Sequence, residues 1–281
     1  AITVAARGGA PTDNGGFLAF RDSSSAGNAS ITANQGASVE FRDTSSAGSS
    51  VIENRGGSTT LWFNAEGGKA QITNFAGGRI DLLDDASAGQ ARLVNESGGV
   101  INLADRVSAD QATVVNNAGG KLRIISLTNA GVGIGSLEGA GDVFLGAKAL
   151  TTGGLNTSTT VSGTISGGGG SVVKVGSGTL ELSGANTYTG GTTVAGGTLA
   201  ANNTSGSATG TGSVLVQSGA TLAGTGSIAG SVTVAKGGVL SAGNGGVGTL
   251  TLGGLSLAAG SVLNYELGQA GVAGGALNDL I

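Results

Sequence analysis

The chain has 281 residues, 58 of them Gly and one Pro, with no Cys, His or Met. Without Cys there is no disulfide, thiol nucleophile or Cys-metal site, and without His the usual general base near neutral pH is missing, as is the commonest metal ligand. A net charge of −4, from 13 basic and 17 acidic residues, argues against a nucleic-acid surface, and no run of about twenty apolar residues is present to span a membrane.

Gly-rich composition is compatible with disorder, but the apolar share is 39% and the apolar residues fall in register. Residues 1–15 read as an incomplete coil, with Ile2 and Val4 alternating like a strand end and Asn14-Gly15-Gly16 as a corner. The opening AITVAARGG lacks the basic and apolar regions of a signal peptide. Either such a segment has been removed or the chain is a piece of a longer one.

Residues 16–126 repeat. The second corner residue is Gly16, Ala37, Gly57, Gly78, Gly99 and Gly120, in steps of 21, 20, 21, 21 and 21 residues. Two positions after it come Leu18, Val39, Thr59, Ile80, Ile101 and Leu122. Four positions after it come Phe20, Phe41, Leu61, Leu82, Leu103 and Ile124. Between them lie Ala19, Glu40, Thr60, Asp81, Asn102 and Arg123. Such alternation marks a strand with one buried and one wet face. A further apolar column, Ile31, Ile52, Ile72, Leu93 and Val114, precedes the corner, so each coil has at least two inward-facing strands. A unit of this kind buries its apolar face only against its neighbours. These features predict an all-β fold, a right-handed parallel β-helix of about 20–22 residues per coil. A string of small β-sandwiches would not hold columns in register over so many copies.

Two polar columns accompany the apolar ones. Asn14, Asn34, Asn54, Asn74, Asn95 and Asn116 read as an amide ladder at a corner, where Asn tolerates left-handed backbone. Asp22, Asp43, Asp84 and Asp105, with Phe63 at the same position, read as turn residues bonding N–H groups ahead of them. Stacked carboxylates holding Ca²⁺ are the functional alternative, but calcium takes six to eight oxygens and no second ligand set is evident. Trp62 points outward by register, beside Arg21, Glu40 and Arg42. It reads either as a platform for a sugar ring or partner surface, or as a side chain folded over a local bulge.

Residues 127–171 form a less regular part, and the Gly167–Gly170 run reads as a flexible break or projecting loop. Of the 30 charged residues, 24 lie in 1–142 and six in 143–281. Residues 172–201 hold Lys174-Val175-Gly176-Ser177-Gly178-Thr179-Leu180, then Leu182 to Val194 (LSGANTYTGGTTV), then Gly196-Gly197-Thr198-Leu199. This stretch resembles the autotransporter-associated β-strand repeat. Residues 212–265 are similar to the C-terminal part of autotransporter passenger domains. The tail Gly274–Ile281 looks like the opening of a further coil. Regularity, charge and the resemblance together divide the chain into regular coils (1–126), irregular coils with a Gly-rich loop (127–171), and the repeat with folding-core-like coils (172–281). The resemblance implies export, an outer-membrane barrel in the full-length chain, and exposure at the cell surface. Export unfolded through a barrel would account for the missing Cys, as would a reducing compartment.

Nothing assembles into an active site. Ser-His-Asp is impossible without His, no P-loop is completed, and Gly243–Gly248 matches G-x-G-x-x-G without a helix pattern after it. Asp81, Asp84 and Asp85 beside Arg79 and Arg92 are the remaining enzymatic option, since two acids at the right separation cleave a glycosidic bond. No catalytic, cofactor-binding or metal-binding residue is assigned. The sequence points to a non-enzymatic passenger stalk acting in adhesion. Its ligands would be cell-surface, matrix or glycan, met by extended contact along a wall of Arg21, Glu40, Arg42, Trp62, Arg79 and Arg123. Self-association into a matrix or filament and a polysaccharide-acting β-helix enzyme are the alternatives.

Overall fold

A computed structural model describes residues 3–6, 16–243, 245–268 and 278–281. The predicted corner at Asn14-Gly15, Asn244 and residues 274–277 of the tail lie outside the described residues. The fold is an all-β parallel solenoid, with no helix among the described residues. It comprises two compact units, 1–144 and 145–281.

In the first unit one sheet stacks the strands Thr3–Ala6, Ser30–Asn34, Val51–Arg55, Gln71–Asn74, Arg92–Asn95, Ala109–Asn116 and Gly131–Glu138. A second sheet stacks Phe17–Phe20, Ser38–Phe41, Ser58–Leu61, Arg79–Leu82, Val100–Asp105, Lys121–Leu127 and Asp142–Phe144. Every pairing in them is parallel, one coil to the next. The alternation is what forces this arrangement. Val39, Thr59, Ile80, Ile101 and Leu122 are buried, as are Phe41, Leu61, Leu82, Leu103 and Ile124, and Ile31, Ile52, Ile72, Leu93 and Val114 face them from the other sheet. Phe20 and Phe41 stack with centroids 4.8 Å apart, the spacing of adjacent strands. Thr59 is the polar member of its column, and its hydroxyl donates to Asn54 Oδ1 at 2.9 Å.

The second unit repeats the plan with Ala149–Thr152, Ser171–Lys174, Thr192–Val194, Val214–Val216, Ser227–Val234 and Thr251–Leu257 in one sheet. Thr159–Val161, Thr179–Leu182, Thr198–Ala201, Thr221–Gly224, Val239–Ala242 and Val262–Asn264 form the other. The Gly167–Gly170 run is neither a break nor a projecting loop. Gly170 N–H donates to Gly167 O, Gly190 N–H to Gly170 O at 2.8 Å, and Gly169 N–H to Thr189 Oγ1 at 2.8 Å. It is a corner clamped by the coil after it. The tail residues Asn278 and Leu280 bridge to Leu267 and Thr249.

Candidate functional site

The Asn column is a buried amide ladder. Asn54 Nδ2 donates to Asn74 Oδ1 (2.9 Å), Asn74 to Asn95 (3.2 Å) and Asn95 to Asn116 (2.9 Å). The same amide groups donate to the carbonyls of Arg79, Val100, Lys121 and Asp142 at 2.8–3.2 Å. Two details differ from the sequence reading. None of these Asn residues has positive φ; that conformation falls on the following glycine, as at Gly98 with φ 80°. Asn34 is also not a rung, because Ala33 pairs with Asn54 while Asn34 pairs with Arg55. Asn34 lies three residues after Ile31, whereas Asn54 lies two after Ile52, and one residue of offset reverses the face. The ladder also dictates the second corner glycine: a Cβ on Gly120 would lie 2.7 Å from Asn116 Oδ1.

The Asp column is built on left-handed backbone throughout: Asp22, Asp43, Phe63, Asp84 and Asp105 have φ of 55°, 60°, 58°, 58° and 58°. Asp and Asn tolerate this region, while a bulky side chain there is an outlier. The carboxylates do not bond ahead along the turn as the sequence suggested. Three of the four reach back one coil, Asp43 Oδ2 accepting from Asp22 N–H (3.1 Å), Asp84 Oδ2 from Phe63 N–H (3.4 Å) and Asp105 Oδ2 from Asp84 N–H (3.1 Å). Among the described residues there is no group of three or more acids that could hold a metal ion.

Trp62 does not sit on a bulge. The register runs unbroken from Phe41 to Leu61 to Leu82, and Trp62 N–H donates to Phe41 O at 2.8 Å. Nor is the indole a free outward platform. It is half-buried, Arg42 lies over the ring at 5.5 Å, and its Nε1 is buried without a partner. The exposed ring is its neighbour Phe63, 48% accessible. Of the remaining wall residues, Arg21 is exposed, Arg42 pairs with Glu40 at 2.7 Å, and Arg123 lies over Phe144 at 5.9 Å.

The acid cluster is divided among separate partners. Asp81 is 7% exposed rather than outward and free, and Arg79 folds over it in an ion pair. Asp84 serves the turn, as above. Asp85 takes both donors of Arg106 at 2.6 and 2.7 Å, and that guanidinium holds the Asp85 carboxyl below its ordinary range. Arg92 is on the other sheet, in the strand Arg92–Asn95. Arg106 was missed, although it follows Asp85 by one coil length of 21 residues.

In the second unit the polar residues of the repeat face inward. Lys174 takes the last inward position of its strand, as Asn74 does in the first unit. It is 1% exposed, and its ammonium donates to the carbonyls of Val175, Gly176 and Gly196 at 2.7, 3.1 and 3.1 Å. Burial pushes its pKa down. Tyr188 is fully buried with its hydroxyl 2.7 Å from Thr192 Oγ1, and burial raises its pKa. Asn186 bridges coils, accepting from Ile165 N–H (2.7 Å) and donating to Ala208 O (2.6 Å).

These residues lie in the segment that known proteins share. The passenger-associated-transport-repeat family matches residues 172–201. The chain is also 67% identical over 45 residues to the adhesin BmaC autotransporter of Brucella suis biovar 1 (strain 1330). That match covers 16% of the chain and spans 1% of the length of the adhesin. A hyper-glycosylated TibA fragment is similar at 20% identity and a TM-score of 0.31, over 94% of this chain and 98% of that one.

Proposed function

We propose that the chain is part of a non-enzymatic passenger stalk, displayed at the cell surface by an outer-membrane barrel in the full-length protein and acting in adhesion. The observation that carries this reading is the transport repeat at 172–201, together with the 67% identity to an adhesin autotransporter. The solenoid suits the task, since stacked coils present an extended repetitive wall to a ligand surface. The non-enzymatic part is supported by the acids. A glycosidic general acid needs a raised pKa, whereas Asp85 is held down by Arg106 and Asp81 is tied to Arg79. Fractionation with intact-cell labelling tests display: a surface-labelled outer-membrane band or shed passenger is expected, and confinement to the cytoplasm overturns the reading. Attachment of beads coated with the chain to host cells or matrix tests adhesion. Turnover of an acidic glycan, lost in Asp84→Asn, would overturn the non-enzymatic part.

A further inference from the structure

In the acid column the backbone N–H groups of Asp22, Phe63 and Asp84 are taken by the carboxylate of the coil after each, and Phe63 interrupts the run by offering no carboxylate to Asp43. It stands between Asp43 and Asp84 in the same left-handed backbone, φ 58°. Strain of that kind persists where the surroundings impose it, and it gathers at ligand clamps and other functional sites. Two consequences follow here. The ring faces solvent, 48% accessible. Asp43 N–H, which by the pattern of Asp22 and Asp84 points at the side chain of residue 63, meets no carboxylate. Asn64, next in sequence, is exposed, and the Asp84 carboxylate lies at the Phe63 N–H, 3.4 Å away.

We propose that Phe63 is the platform of a shallow binding site for a neutral pyranose ring. The apolar face of the sugar stacks on the exposed phenyl ring, and its hydroxyls meet Asp43 N–H, Asn64 and the Asp84 carboxylate, a few polar groups fixing the orientation of a ring held on an apolar surface. The chemistry selects among ligands. An open N–H needs a lone pair, which an ammonium or guanidinium lacks and a hydroxyl has. Asp43 and Asp84 oppose an anionic sugar. A neutral hydroxylated ring meets both conditions. The proposal rests on the adhesion reading and names the class of ligand for it.

The test is a glycan array carrying neutral and sialylated oligosaccharides, with an oligolysine peptide as a further probe. It compares the purified chain with Phe63→Asn, which suits the backbone, and Phe63→Leu, which keeps the apolar bulk without the ring. The chain is expected to bind neutral oligosaccharides in preference, and both variants to lose at least about tenfold, in line with the stacking contribution of an aromatic platform. Equal binding by either variant, preference for oligolysine or sialylated probes, or no neutral glycan bound would overturn the site. Cell attachment measured in parallel separates the two claims. Attachment retained by Phe63→Asn overturns the site and leaves adhesion standing, and glycan binding without attachment does the reverse.

Discussion

Phe63→Asn should stabilise the first unit, although it removes a large aromatic side chain. A side chain in left-handed backbone costs roughly 1–2 kcal/mol, and Asn visits that region routinely, so about 1 kcal/mol of strain is relieved. The new amide oxygen gives Asp43 N–H an acceptor, as Asp43 itself does for Asp22, contributing about 0.5 kcal/mol at an exposed site. Against this stands lost burial. The ring is 48% accessible, so about half of the ~2 kcal/mol for a buried Phe is forfeited. The balance is a gain of about 0.5 kcal/mol, or an upward shift of about 0.3 M in a urea midpoint. Phe63→Asp makes the same hydrogen bond but places a third carboxylate between two others about 4.8 Å away along the column. At that distance each like-charge contact costs about 0.9 kcal/mol in water. The Asp variant should therefore unfold earlier than the Asn variant at low salt, and the gap should close as salt is added. Urea unfolding followed by circular dichroism at two salt concentrations reads both effects. A midpoint for Phe63→Asn below that of the unmodified chain would mean that ring packing outweighs backbone strain, and the reasoning would fail.

The remaining expectations concern the buried polar groups. Asn95→Ala removes a rung that donates to Gly99 O, Asn116 Oδ1 and Lys121 O, and should lower stability by about 3 kcal/mol because buried partners are left unpaired; urea unfolding showing under 1 kcal/mol would deny the ladder its role. Lys174→Met leaves three carbonyls without their donor and should cost about 2–4 kcal/mol on the same assay. Lys174 also sets a pH dependence. Burial lowers its pKa in the fold, so below the ordinary lysine value of about 10.4 the unfolded chain binds more protons and stability rises with pH. The urea midpoint of the unmodified chain should therefore climb relative to Lys174→Met as that value is approached, and a relative fall would reverse the sign of the shift. Trp62→Ala should lower stability by about 1–2 kcal/mol and leave attachment unchanged, because Arg42 covers the indole; lost attachment at unchanged stability would restore Trp62 as the contact.

The columns made the architecture legible, because a period of about 21 residues combined with alternation leaves few ways to bury Ile31, Ile52 and Ile72 other than stacking them. Register was less secure wherever one residue was gained or lost. Asn34 belongs by identity to the ladder and by position to the Arg55 column, and the extra residue after Ile31 was the available signal. The direction of polar contacts was not legible. An Asp at a turn reads locally as bonding the N–H groups ahead, yet in a solenoid the adjacent N–H lies a coil earlier in sequence and one strand spacing away. Arg106 and Lys174 were overlooked for the same reason: their partners are set by stacking, as Arg106 on Asp85 and Lys174 on Gly196 O demonstrate. Trp62 was placed outward by parity alone, which says where a side chain starts but not that Arg42 lies across it.

A repeat protein changes what a single residue can reveal. Where a column is uniform, as with the amides of Asn54, Asn74, Asn95 and Asn116, stacking accounts for each member and no ligand is needed to explain it. Information about function is then concentrated in departures whose local energetics are unfavourable and that the coil does not repair. Ala33 in place of a ladder Asn is such a departure, but it is apolar and buried, with no side chain at the surface. Lys174 is another, and it is fully satisfied by the carbonyls around it. Phe63 is different: it keeps a strained backbone, exposes an apolar ring and leaves the Asp43 N–H without a carboxylate, all at one point on the surface. Replacing it by the residue its column prefers should make the fold more stable and the surface less able to bind, and that pairing of opposite effects is what distinguishes a binding residue from an ordinary imperfection of the repeat.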